Sequence, residues 1–172
     1  MQLIKDGTFV ADAWTTVADD APIPDGPIIV SLDRWKKEQN ALLARGGKLG
    51  IRLKSGEEPA LIADHLDSFD VVALEFPAYR NGRAFSYARI LRERYDYKGE
   101  VRAVGAVLRD QFYFLVRCGF DALEVRDNIT AEIYKESIGT FSHGYQPGAD
   151  GGPTVMSLRQ RLAANAESRK AG

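Results

Sequence analysis

An α/β fold with about five mostly parallel strands, arranged as a doubly wound sheet or a part-barrel, is predicted by three features of the 172-residue sequence. Short apolar runs recur between residues 28 and 125. Each run is followed by a segment whose apolar residues fall three and four positions apart. A hairpin signal, Asp6-Gly7 between Leu3-Ile4-Lys5 and Thr8-Phe9-Val10, precedes the series.

The elements follow in order. Residues 1–27 read as an N-terminal hairpin appendage ending in a loop from Asp19 to Pro27 with three prolines. Residues 28–141 form the α/β domain. Ile28 to Leu32 is a buried strand, and Asp33 can cap a helix over Trp35 to Arg45 that Gly46-Gly47 closes. Leu49, Ile51 and Leu53 alternate as a second strand. Ser55-Gly56-Glu57-Glu58 has capping-box spacing ahead of the stripe Leu61, Ile62, Leu66 and Phe69. Val71 to Phe76 is the third strand, and Tyr87, Ile90, Leu91 and Tyr95 mark the next helix. Val101 to Val107 is the fourth strand. Phe112, Leu115 and Val116 mark a short helix ended by Gly119, with Phe112-Tyr113-Phe114 read as its core packing. Ala122 to Val125 is the fifth strand. Asp127 or Asn128 can cap a last helix that faces Ile129, Ile133, Tyr134, Ile138 and Phe141 inward. Residues 142–172 are a Gly/Pro-rich tail with a helical pattern from Ser157 to Ala166.

Charge narrows the function. The net charge is -1, yet nine of the fifteen arginines lie between Arg80 and Arg126, with one lysine, Lys98. Arginine grips carboxylates and oxyanions through a planar fork, which lysine lacks. The overall balance argues against a general nucleic-acid binder. A single cysteine, Cys118, excludes an intrachain disulfide and a four-cysteine cluster within one chain, and it reads as a structural thiol. No apolar run approaches membrane-spanning length, so a cytoplasmic protein is expected. The pattern leaves the oligomeric state open, a homo-oligomer included.

In parallel sheets and barrels alike, ligands gather beyond the carboxyl ends of the strands. The sequence places there Asp33 and Arg34, Lys54 and Ser55, Glu75 with the loop from Pro77 to Arg83, Arg109-Asp110-Gln111, and Arg126-Asp127. Arg80, Arg83 and Arg109, with Ser86 at the start of a helix, can converge on a small oxyanion or a substrate carboxylate. Glu75 and Asp110 are the general acid–base candidates. The competing reading is that the arginines pair with Glu75, Asp110 and Asp127 and lock loops together. Arg89, Arg92 and Arg94 read mostly as a solvated helix face, and Arg102 as a partner of Glu100 or Asp96. His65 and His143 have no metal-ligand spacing, so no metal is expected. Gly46 to Gly50 precedes a strand and lacks a phosphate-loop ending, and no dinucleotide fingerprint follows a strand. No cofactor is expected.

Phe76 to Phe85 with Asn81-Gly82-Arg83, Ser86, Leu91-Arg92, Gly99 to Gly105, Leu108-Arg109-Asp110-Gln111 and Arg117 to Asp121 together resemble a bacterial family, domain of unknown function nine-three-four. The resemblance covers Asp25 to about Gln146. It departs from the family pattern at Asn81, where an aspartate is usual, and at Ala106, where an acidic residue is usual. The family is labelled an oxidoreductase of sulfite reduction by gene neighbourhood. The resemblance therefore implies sulfur assimilation, and it carries over no catalytic residue. A multi-electron reduction fits poorly with one cysteine and no dinucleotide loop. The implied role is accessory: binding a sulfite reductase component or another sulfur-assimilation enzyme, a small oxyanion, or both, through the arginine-rich loops. The second reading is a small α/β enzyme acting on an anionic substrate, with Glu75 or Asp110 moving a proton.

Overall fold

Strand order decides between the two architectures. The computed structural model describes residues 1–170, with side chains through Leu162. Its strands are β1 (Gln2–Lys5), β2 (Thr8–Val10), β3 (Thr15–Thr16), β4 (Ile28–Ser31), β5 (Leu49–Leu53), β6 (Val71–Phe76), β7 (Glu100–Gly105) and β8 (Ala122–Val125). They lie in the order β2-β1-β8-β7-β6-β5-β4-β3. From β3 to β8 each strand pairs in parallel with the next in the chain, while β1 joins β8 and β2 antiparallel. A doubly wound sheet reverses its order at a switch point and puts helices on both faces. Here the order never reverses, so right-handed crossovers all land on one face. The fold is the part-barrel: a curled, mostly parallel half-barrel with its helices outside.

The linkage of the two sheet edges forces the curl. β2 lies at one edge and β3 at the other, seven strand spacings apart, or roughly 34 Å along the sheet. The chain from Val10 to Thr15 can span only about 18 Å when fully extended. An arc must bend past a half circle before its ends come that close. Residues 11–14 therefore form a strap across the concave face. Trp14 on the strap packs against Ile29, Val71, Ala73 and Val104, the apolar residues of that face. The opposite face of the sheet carries Ile28, Val30, Ile51, Val72, Leu74, Phe76, Val101, Ala103 and Leu123 into the main core under the helices. With both faces covered, β6 reads as an almost unbroken apolar run. Residues 1–27 thus contribute three strands and the strap to the one sheet.

The helices are α1 (Leu32–Ala44), α2 (Arg83–Arg89), α3 (Phe112–Arg117), α4 (Ala131–Ile138) and α5 (Val155–Lys170). Several caps differ from expectation. Ser31, not Asp33, caps α1 by accepting the Arg34 N–H at 3.0 Å. Thr130, not Asp127 or Asn128, caps α4. Asp127 instead pairs with the Met1 amine at 2.8 Å. Glu57 folds back onto the Lys54 N–H at 2.7 Å, so the expected capping box does not form, and the segment Pro59–Ser68 winds as a 3₁₀ helix. Phe141 lies beyond α4 and is exposed. α5 begins two residues earlier than the helical pattern indicated; the side chain of Ala166 lies outside the described residues. No helix among the described residues is long and apolar enough to cross a membrane.

At the carboxyl end of β7 the chain turns through Gly105, whose φ is +89°. A Cβ there would sit 2.6 Å from the Phe76 carbonyl oxygen, which accepts the Ala106 N–H at 2.7 Å. Gly105→Ala combines a left-handed backbone with a clash against backbone. It is expected to cost about 2 kcal/mol in a urea unfolding titration. An unchanged midpoint would show that the turn can relax.

Candidate functional site

The carboxyl ends of the strands carry two separate groups of the expected site residues. Glu75 alternates with Val71 and Ala73 on the concave face of β6, and its carboxylate accepts from Arg52 Nε at 3.2 Å. Asp110 lies outside the barrel, in the short 3₁₀ turn Arg109–Gln111 between β7 and α3. The two carboxylates that could share proton transfer are therefore on opposite sides of the sheet.

The arginines divide as well. Arg109 donates to Glu136 at 2.7 Å and to Ser137 at 3.1 Å, which fastens the β7 loop to α4. Arg80 and Arg83 are exposed, and among the described residues no ion pair or side-chain hydrogen bond holds either guanidinium. The turn before α2 is built by the Asn81 N–H reaching the Ala78 carbonyl at 3.0 Å, and by Asn81 Oδ1 accepting the Arg83 N–H at 3.3 Å. The side chain at position 81 therefore stabilises the turn by accepting an N–H. Ser86 is the fourth residue of α2, past the open amides of the first turn. Elsewhere, Asp33 pairs with Lys54 at 3.4 Å, and Arg34 is buried with its guanidinium on the Ala18 carbonyl at 2.6 Å.

Around Asp110 the helices form two adjoining clefts. One, of about 430 Å³, lies between α3 and α4 and is bordered by Arg109, Asp110, Phe114 and Glu136. The other, of about 490 Å³, lies between α2 and α3 and is lined by Tyr79, Phe85, Asp110, Gln111, Phe114 and Cys118. Phe114 borders both. The residue is 54% exposed, and Tyr79 is 60% exposed. Reading Phe112-Tyr113-Phe114 as core packing holds for Phe112, which is fully buried, and fails for Phe114. The signal was in the spacing: two positions along a helix turn a side chain by about 200°, so Phe112 and Phe114 cannot share a face. Cys118 is half-buried, and burial pushes its thiol pKa up, against the pull of Arg89, so it is a weak nucleophile near neutrality.

Three further arginines of the rich stretch are tied into the fold to different degrees. Arg89 pairs with Glu93 on the exposed face as expected. Arg102 is buried and bound to Glu100 and Asp12, while Asp96 pairs with Lys98. Arg92 departs from the solvated-face reading: it turns inward and binds the carbonyls of Tyr97, Gly99 and Gly119 together with Asp121.

No curated protein matches the chain. A family model described as "bacterial protein of unknown function (DUF934)" matches residues 50–156, from within β5 to the start of α5, and so spans both clefts and all the arginine loops. On that match the chain belongs to the DUF934 family of bacterial proteins of unknown function.

Proposed function

We propose that the chain is an accessory protein of bacterial sulfur assimilation that docks a partner protein, a component of sulfite reduction, through the face formed by the loops after β6 and β7. The observation that carries the binding part is the juxtaposition of unspent guanidinia with exposed rings. Arg80 and Arg83 are without partners among the described residues, and both follow the exposed Tyr79, Arg80 directly and Arg83 at the start of α2. Exposed tyrosine, phenylalanine and arginine together are the composition of an interface centre. The sulfur context comes from the family resemblance. Glu75, Arg109 and Arg52 are already committed within the fold, which favours binding over proton-transfer chemistry. Arg80 and Arg83 would recognise a carboxylate on the partner or a small oxyanion held between the two proteins.

The test is a pull-down from native extract with the tagged chain. Enrichment of a sulfite reductase component is expected, with at least a tenfold loss for the Arg80→Glu/Arg83→Glu double variant. Failure to enrich any sulfur-assimilation enzyme would overturn the reading. The enzyme reading keeps one observation in its favour: Asp110 borders both clefts and has no partner among the described residues. It requires a thermal shift with sulfite, sulfate or phosphate, worth about 2.7 kcal/mol at a hundred times the dissociation constant, that Arg83→Ala and Asp110→Asn abolish.

A further inference from the structure

We propose that the cleft between α2 and α3 binds a nucleotide, with the base among the aromatic rings and the phosphate toward Arg80 and Arg83. The argument begins with the shape of the cleft. Its volume of about 490 Å³ suits a small ligand, and three of its lining residues are aromatic. Tyr79 and Phe114 are exposed at its border, and Phe85 is held in place edge-on against Phe76, with ring centroids 5.1 Å apart. Such rings stack on any planar base.

Gln111 supplies the polar recognition. It is only 8% exposed, yet it lines the cleft. Its Oε1 accepts the Leu108 N–H at 3.1 Å, which fixes the orientation of the amide. The Nε2 end has no partner among the described residues, which leaves a free donor on a residue that lines the cleft. Asp110 beside it is an acceptor, also without a partner among the described residues. A donor next to an acceptor matches a base edge that offers an acceptor beside an amino group. Adenine has that edge. The anionic end follows from position: Arg80 adjoins Tyr79, and Arg83 lies two residues before Phe85. Exposed guanidinia on the chain beside two of the lining residues favour a phosphate that remains in contact with water.

This inference goes beyond the docking role and does not rest on it. A titration of the isolated chain needs no partner, and the pull-down needs no added nucleotide, so either can fail alone. The experiment is calorimetric titration of the full chain with AMP, adenosine, IMP and inorganic phosphate. Saturable AMP binding is expected. Adenosine should bind more weakly because it lacks the anion. IMP, whose edge reverses the donor and acceptor, should bind at least tenfold more weakly. Phe114→Ala and Tyr79→Ala remove exposed rings and leave the core intact, and each should weaken AMP by about tenfold or more. Gln111→Glu keeps an oxygen for the Leu108 N–H and removes the donor, so it should weaken AMP while circular dichroism shows an unchanged fold. No saturable AMP binding would overturn the proposal. So would phosphate or IMP binding as tightly as AMP, or undiminished AMP binding by the Phe114→Ala and Gln111→Glu variants.

Discussion

Arg102→Met is expected to lower the unfolding free energy by about 3 kcal/mol, measured from the urea midpoint. Arg102 stands on the concave face of β7 with its side chain 3% exposed. It donates to Glu100 at 2.7 Å and to Asp12 at 2.8 Å. Methionine fills a similar volume with an adaptable chain, so packing is largely preserved and the loss is electrostatic. Glu100 is nearly as buried as Arg102 and, among the described residues, would keep only Lys5 as an ion-pair partner, at 2.7 Å. Asp12 is more exposed, so water can take over part of its solvation. The stranded charge is therefore Glu100, and a second change, Glu100→Gln, should recover part of the loss. The same variant should loosen the strap, because Asp12 is its tie to β7. Faster amide exchange is expected at Thr15 and Val17, whose N–H groups bond the Pro27 and Ile29 carbonyls. A wild-type midpoint with unchanged exchange would mean that the strap is held by Trp14 alone.

The contrast between the strap and the strands explains what the sequence could disclose. Strands β4 to β8 were legible because each is a short apolar run in which local pattern and burial agree, as in Val71–Phe76. The closure was not legible, because it depends on pairings distant in sequence. β1 meets β8 across more than a hundred residues, and β3 is two residues long. Neither leaves a periodic trace. Segment 1–27 looked peripheral for that reason, although it supplies both edges of the sheet. The turn after β6 that carries Arg80 and Arg83 was legible, since the turn chemistry of Asn81-Gly82 is local, but their exposure was not. The cleft beside them was not, because Tyr79, Gln111 and Phe114 come together only when α2 and α3 dock on neighbouring strands. Arg109 was placed at the correct strand end but not given its partner, because Glu136 is on a helix whose position depends on the sheet order.

Arg92 failed as a surface residue for a local reason that is easily stated, and its replacement should be nearly as damaging. By α-helical spacing it falls close to Arg89 and should share that exposed face. The segment Ile90–Arg94 instead winds as a π turn, with the Tyr95 N–H reaching the Ile90 carbonyl at 3.1 Å. The wider turn changes the rotation between residues and carries Arg92 inward to 16% exposure. There its guanidinium joins two loops: the carbonyls of Tyr97 and Gly99 before β7, and the Gly119 carbonyl with the Asp121 carboxylate between α3 and β8. Arg92→Ala should cost about 3 kcal/mol, since it strands several acceptors at once. Arg89→Ala, on the exposed pair with Glu93, should cost only about 0.5 kcal/mol. The Arg92 deficit should also depend on pH. Burial raises the Asp121 carboxyl above its ordinary value, while the Val101 N–H and Arg92 pull it down. Removing Arg92 raises it further. A carboxyl whose folded pKa lies above its unfolded one binds its proton more tightly in the fold, so it loses stability as pH rises through that interval. The deficit should therefore be full at neutral pH and smaller in the acid range just above the ordinary carboxyl pKa. Urea titrations of the wild type, Arg92→Ala and Arg92→Ala/Asp121→Asn at both pH values would test this. A deficit that stays constant with pH, or one that the Asp121→Asn change does not flatten, would mean that Arg92 acts through the carbonyls alone.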